Sequence, residues 1–311
     1  MTTFNIFKLS FTSPLHLSRG KSNSYENSDI VLHSDTLKSA MLATALQIFD
    51  FEEAEIKAFW DSFQVSSAMP FLGENYYFPR PMSWQPEAEN AAKQKDWNKL
   101  EYLQLTDFQS LILGNTINAL PELPTFFVKE QTQRVKINWD TDSVPFYIEK
   151  LYFKPEAGLF LIVETKDTAQ LSKLEGVMRL LGDNGIGLQR NIGNGHFEVE
   201  TATIALEIPE SNKAMCLSLY CPTEDELKTF DLKTSFYKLQ KRGGWVSSSA
   251  VENISYRKKS VFMFNEGSVF KTQNTDNQLF VKGKSVTITP EVMKDKQNVW
   301  REGRGIFLPI K

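Results

Sequence analysis

Apolar and polar residues alternate from Phe4 to Phe11, with Phe4, Ile6 and Lys8 set against Asn5, Phe7 and Leu9, which predicts an opening β-strand. A polar loop follows over Thr12–Ser28, carrying His16, Arg19, Gly20 and Lys21. Leu37, Ala40, Met41, Ala45 and Ile48 then recur at helical spacing, so a helix with one buried face is expected, with Ser34 or Asp35 placed to cap it. Residues 51–145 are less regular and read as an insertion on a compact core. They hold Phe71–Tyr77, the Pro79-Arg80-Pro81 run, and Lys93, Lys95 and Lys99 around Trp97, lysines whose default role is a solvated face. Phe146–Phe153 and Leu159–Glu164 predict a hairpin around Pro155-Glu156-Ala157-Gly158. Asp167-Thr168-Ala169-Gln170 offers a capping box, and Leu171, Leu174, Met178 and Leu181 mark one face of the helix behind it. A glycine-rich stretch comes next, and a strand is expected over His196–Ile208.

The order is therefore β, α, β, β, α, loop, β, the split βαβ or ferredoxin-like arrangement. Beyond residue 208 the expected elements are short strands at Ala214–Tyr220, Leu232–Leu239, Lys259–Phe264, Gly267–Lys271 and Ser285–Thr289, with one helix near Glu224–Phe230. An α+β chain with two ferredoxin-like (RRM-like) domains is expected: residues 1–208, with the glycine-rich loop and an insertion at about 51–145, and a strand-rich 209–311.

Composition narrows the function. At 311 residues the chain has room for two cores, and 41% hydrophobic with 23% charged residues is ordinary for a soluble globular protein. The formal net charge of −3 gives no global basic field, so any nucleic-acid face has to be local. No segment reads as a signal peptide or a membrane span, and a cytoplasmic location without a membrane partner is expected. Cys216 and Cys221 lack Cys or His partners at metal-ligand spacing; neither a metal, a cofactor nor a disulfide is expected.

Five glycines lie between Gly182 and Gly195 (Gly182, Gly185, Gly187, Gly193 and Gly195), together with Arg190. Glycine lets backbone approach a ligand closely, successive N–H groups can form an anion-binding concavity, and a guanidinium fork matches phosphate. A P-loop is excluded, because His196 and Phe197 stand where Lys and Ser/Thr are needed. A dinucleotide fingerprint is excluded as well, since the loop runs from helix into strand. A phosphate cradle and an empty surface turn both remain open on composition alone.

Four stretches together carry a family likeness: Ser13-Pro14-Leu15-His16-Leu17, the helix start His33–Ala40, the loop Gly185–Gly195, and the tail Gly303–Ile310. With them the chain resembles the RAMP superfamily of CRISPR proteins, most closely the fourth Csm subunit of type III-A effector complexes. Leu188 and Gln189 stand where that family usually has a further glycine and an acidic residue. The resemblance implies that the glycine loop binds crRNA, and that the subunit holds the repeat-derived 5′ handle. It also implies docking to the large polymerase-like subunit, and a place at the start of the row of repeated backbone subunits. The aspartate that cleaves target RNA belongs, by the same resemblance, to the backbone subunit, so a non-catalytic role is expected here.

The expected RNA contacts are His16, Ser18, Arg19 and Gly20 in the first loop, Arg134 and Lys136, and Gly185, Gly187, Arg190, Asn191, Gly193 and Gly195 in the glycine loop. Arg242, Gly243 and Gly244 join them, from a basic turn that abuts Trp245. The alternative is a metal-independent RAMP endoribonuclease acting on repeat RNA through a histidine, which only His16, His33 or His196 could supply. His33 reads better as a packed or hydrogen-bonded residue at a helix start, and Asp35 as a cap rather than a metal ligand.

Overall fold

A computed structural model describes residues 1–18, 25–85, 91–117, 119–138, 142–246, 256–271, 280–293 and 298–311, with side chains at 91–93 excepted. The opening strand β1 (Thr2–Phe11) is buried on both faces, which explains why apolar residues occupy both of its alternating sets. Helices α1 (Ser34–Ile48) and α2 (Glu53–Asp61) follow, then short strands β2 (Phe63–Val65), β3 (Met69–Leu72) and β4 (Asn75–Pro79). Next come α3 (Ala91–Lys99), β5 (Tyr102–Gln104), α4 (Leu105–Ile112), and two long strands, β6 (Phe127–Lys136) and β7 (Val144–Phe153). Strand β8 (Ala157–Thr165), helix α5 (Thr168–Asn184) and strand β9 (Phe197–Leu206) complete this part of the chain.

The main sheet runs β5-β4-β3-β8-β1-β9, with β2 also pairing β8. Every pairing in it is antiparallel, and Ile6 sits between Ile162 and Ala202. With α1 after β1 and α5 after β8, the trace is β-α-β-β-α-β. The element that fills the second strand position differs from the sequence expectation. Phe146–Phe153 does not form a hairpin with Leu159–Glu164; β7 pairs β6 in a separate two-stranded ribbon, and β2 and β3 pair β8 instead. Those two strands are short and nearly fully buried, so they carry no alternation to read.

The sheet has a core on each face. Phe7, Leu9, Leu159, Leu161 and Val163 pack under α1 (Leu37, Met41, Ala45) and α5 (Leu174, Met178, Leu181). On the other face Phe4, Ile6, Phe160, Ile162 and Ile204 pack with Phe108 and Ile112 of α4. That second core also takes Met215, Leu217, Val269, Ile306, Leu308 and Ile310 from beyond residue 208. Full burial of each such side chain contributes about 1.5–3 kcal/mol.

Beyond residue 208 lie β10 (Lys213–Cys216), α6 (Glu224–Thr229), β11 (Leu239–Arg242), β12 (Val261–Phe264) and β13 (Val269–Lys271). They are followed by β14 (Phe280–Lys282), β15 (Val286–Thr287), β16 (Trp300–Arg301) and β17 (Gly305–Ile310). A four-stranded sheet runs β13-β10-β17-β14, while β11 pairs β12 and β15 pairs β16. Leu232–Tyr237 is not a strand as expected: it holds a turn and a single bridge from Phe236 to Val269, and pairing begins at Leu239. Thr223 and Glu226 form the capping box that starts α6. Cys216 is buried and Cys221 half-buried, and both are free thiols.

Candidate nucleic-acid interface

The glycine-rich stretch leaves α5 at Gly185 (φ +74) and returns through Gly193 (φ +84) and Gly195 (φ +77) into β9. Its base is closed on itself and on the loop after β1. Ile186 N donates to Gly195 O at 2.9 Å, Gly195 N to Pro14 O at 2.9 Å, and Leu188 N to His16 O at 2.9 Å. Glycine is obligatory at this closure: a Cβ on Gly195 would lie 1.9 Å from Ile186 O, and one on Gly187 (φ +91) 2.5 Å from His16 O. Above the base the chain makes a 3-10 turn over Arg190–Ile192, preceded by Gln189 in the left-handed region (φ +60). Arg190, Asn191, Ile192 and Gly193 are exposed, and open space surrounds Gly193. The loop thus combines a rigid base with an outward apex.

The ribbon β6–β7 meets this base. Lys150 of β7 donates from Nζ to Asn194 Oδ1 at 3.3 Å. Burial, and then the Arg134 charge, lower the Lys150 ammonium below its ordinary value. Arg134 and Lys136 are exposed on β6, as are Val128 and Val135, and Val144, Tyr147 and Tyr152 are exposed on β7. Sequence reasoning missed Lys150 and Asn194, because nothing local distinguishes a lysine in a strand or an asparagine between two glycines.

His16 is placed here through its backbone. Its ring is fully buried, and Nδ1 donates to Glu149 O at 2.6 Å. Burial pushes the ring's pKa down against the pull of Glu149. The ring ties the loop after β1 to β7, and the backbone carbonyl of His16 accepts from Leu188 N. Ser18 is exposed and bridges to Ser28, whose Oγ accepts from Leu17 N at 2.9 Å. Arg19 and Gly20 lie outside the described residues. His196 is half-buried, and its N–H donates to Ser13 Oγ at 2.8 Å.

Arg242 is not beside the glycine loop, and its guanidinium is already engaged. Its Nε and Nη2 donate to Asp35 at 3.1 and 2.8 Å, and Nη2 also donates to Thr36 Oγ1 at 3.0 Å. Arg301 bonds the same carboxylate and donates from Nη2 to Gly243 O at 2.8 Å. Asp35 is therefore not the helix cap the sequence suggested: it is buried, and two guanidiniums claim both of its oxygens. Burial alone would raise its pKa, but Arg242 and Arg301 hold it well below the usual carboxylate range. Ser34 does not cap either; its Oγ accepts from Leu219 N at 3.0 Å. His33 donates from Nδ1 to Glu266 at 2.8 Å, in line with its expected hydrogen-bonded role. In the lysine segment, Lys99 pairs with Asp96 at 2.8 Å on an exposed face. Among the described residues no group of three or more His, Cys, Asp or Glu side chains is placed to hold a metal. No helix among them is long and apolar enough to cross a membrane.

The arrangement defines an α+β protein with a braced, outward glycine loop beside a cationic ribbon. Residues 209–310 match the family model of the CRISPR Csm4 C-terminal domain. The chain is 27% identical over 230 residues to the CRISPR system Cms protein Csm4 of Thermococcus onnurineus, covering 70% of this chain and 74% of that protein. It is 28% identical over 254 residues to the Mycobacterium tuberculosis protein of the same name, covering 79% and 82%. Among solved structures it is similar in fold to a chain of the Csm1–Csm4 cassette crystallised with cA4, with a TM-score of 0.67, 20% identity, and coverage of 100% and 98%. A chain of the Csm3–Csm4 subcomplex of the type III-A CRISPR-Cas interference complex aligns with a TM-score of 0.64 at 18% identity, covering 99% of each. Residues 209–310 thus match the Csm4 C-terminal domain, and over most of its length the chain is similar to Csm4 proteins of CRISPR systems.

Proposed function

We propose that this chain is a non-catalytic, crRNA-binding assembly subunit of a cytoplasmic type III-A complex, and that its glycine loop holds the backbone of the 5′ handle. One observation carries the reading: the apex Arg190–Gly193 is presented outward on a base pinned to Pro14 and His16, with Lys150 bonded to Asn194 beside it. An exposed guanidinium on a fixed apex, with the Lys150 charge at its base, suits a phosphate chain. The handle assignment itself comes from the family. Solved relatives are a Csm1–Csm4 cassette and a Csm3–Csm4 subcomplex, which supports docking to a large polymerase-like subunit and to the repeated backbone subunit. In this reading residues 1–208 form one ferredoxin-like domain and 209–311 a second, reduced one. The buried, hydrogen-bonded ring of His16 disfavours the endoribonuclease alternative, since that ring does not reach a substrate where it stands.

The test is to purify the tagged chain from its native host and sequence what accompanies it. A homogeneous small RNA with a repeat-derived 5′ end, together with a large polymerase-like protein, is expected. Recovery of partner proteins with no RNA would reduce the chain to a protein scaffold.

A further inference from the structure

Strand β11 carries Lys241 and Arg242 into Gly243 and Gly244, after which Trp245 forms an antiparallel bridge with Arg257. Val246 N donates to Tyr256 O at 2.8 Å, and Lys258 N to Gly244 O at 2.8 Å. These bonds extend the β11–β12 ladder, in which Lys241 pairs with Phe262, into one ribbon. The ribbon exposes rings that the fold does not use: Trp245 is 52% and Phe262 63% accessible, and Lys241 Nζ lies 6.0 Å from the Phe262 ring centre.

Among the described residues, charge around these rings is one-sided. Asp35, beneath the ribbon, is consumed by Arg242 and Arg301, and Lys259 lies 3.6 Å from Glu291. Lys241, Arg257 and Lys258 have no carboxylate partner among the described residues. A sequence-tolerant surface for single-stranded nucleic acid is built this way, from cations that track phosphates beside aromatic faces on which bases stack.

We propose that this ribbon is a second contact for single-stranded RNA, with Trp245 stacking on a base and Lys241 and Arg257 meeting phosphates. The proposal rests on the RNA-binding reading above. It changes the role of Arg242: its fork is spent on Asp35 and Thr36, so it is a positioning residue. Arg301 shares that task by holding the Gly243 carbonyl. Among the described residues no carboxylate pairs with Lys241, Arg257 or Lys258, which favours a polyanion over a protein partner, whose docking would be served as well by paired charges.

The test is a titration of the full chain with a fluorescently labelled single-stranded oligouridylate at several salt concentrations. Trp245→Ala should weaken binding about 5- to 100-fold with an unchanged salt slope, and Trp245→Phe should keep most of the affinity. Arg257→Ala should lower the salt slope by about one. Both side chains are exposed, so neither change should move the melting temperature. Wild-type affinity and slope in both Trp245→Ala and Arg257→Ala overturn the proposal. If Arg190→Ala nevertheless loses affinity in parallel, RNA binding stands without this contact. If the intact chain binds no RNA, both readings fall. Loss of a partner subunit in Trp245→Ala, with RNA binding intact, reassigns the ribbon to protein docking and overturns the proposal too.

Discussion

At the residue scale the glycine loop separates two jobs that composition alone could not separate. Gly185, Gly187 and Gly195 shape the base, where a Cβ would meet carbonyl oxygens at 2.7, 2.5 and 1.9 Å. Gly193 and Arg190 stand at the open apex. Substitutions at the two places should therefore fail differently. Gly195→Ala puts a Cβ against Ile186 O at a positive φ and should cost about 1–3 kcal/mol, read as a lower midpoint in denaturant. Arg190→Ala should leave that midpoint alone, weaken binding of handle RNA, and reduce its salt slope by about one. A Gly195→Ala protein as stable as the parent would mean that the base is not a fixed closure. The cluster of glycines was legible in the sequence as a place of close backbone approach. What it approaches was not, because Pro14 and His16 lie far back along the chain and only the fold brings their carbonyls to it.

At the element scale, α1 is the piece most heavily invested in charge. Asp35 in its first turn takes Arg242 and Arg301. One turn on, Lys38 is fully buried and donates to Phe63 O and to Gln64 Oε1 at 3.1 Å, with Glu302 Oε2 at 2.6 Å. Burial alone would raise the Glu302 carboxyl, but Lys38 and Arg304 hold it down, at about 2. Both carboxylates thus have folded values below their unfolded ones. Their stabilisation is fully present above the ordinary carboxylate range and is lost as pH falls through the folded values. Stability should decline from about pH 4.5 towards pH 2, where Glu302 takes up its proton. Asp35→Asn leaves two guanidiniums buried without their counter-charge and should cost about 3–5 kcal/mol at neutral pH. It should also flatten the acid limb; an unchanged pH profile in that variant would remove Asp35 from the account. Helical spacing in α1 was readable: Leu37, Met41 and Ala45 are buried as it implied, while Ala40 is half-buried and Ile48, in the last turn, is exposed. Its ion pairs were not, since they reach across 207 and 266 positions of sequence. A carboxylate at a helix start looks like a cap until its distant partners are known. Strand β7 misled for the opposite reason: its pattern belongs to a ribbon with β6 that is exposed along most of its length, and short β2 and β3 complete the sheet unannounced.

At the scale of the whole molecule, the two ferredoxin-like domains proposed here are bound more closely than two domains on a linker. Phe4, Ile6, Ile204 and Leu206 share one core with Met215, Leu217, Ile306 and Leu308. The same boundary is crossed by His33 to Glu266, Asp35 to Arg242 and Arg301, and Lys38 to Glu302. Separating the parts would bare the apolar face of the main sheet and strand buried charges, each more costly than the few hydrogen bonds regained from water. Unfolding should therefore be one cooperative transition, with calorimetric and van't Hoff enthalpies equal. Leu308→Ala, a cavity in the shared core, should lower stability by about 2–5 kcal/mol. Its effect should appear equally in the hydrogen exchange of β1 and of β10, although the substitution lies in β17. Two separable transitions, or faster exchange confined to β10 and β17, would show that residues 1–208 stand alone. The glycine loop would then owe nothing to the second half, and the braced loop and the Trp245 ribbon would be free to move independently along an RNA. A single transition instead makes them two fixed points on one body, with a set spacing between the phosphates they can hold.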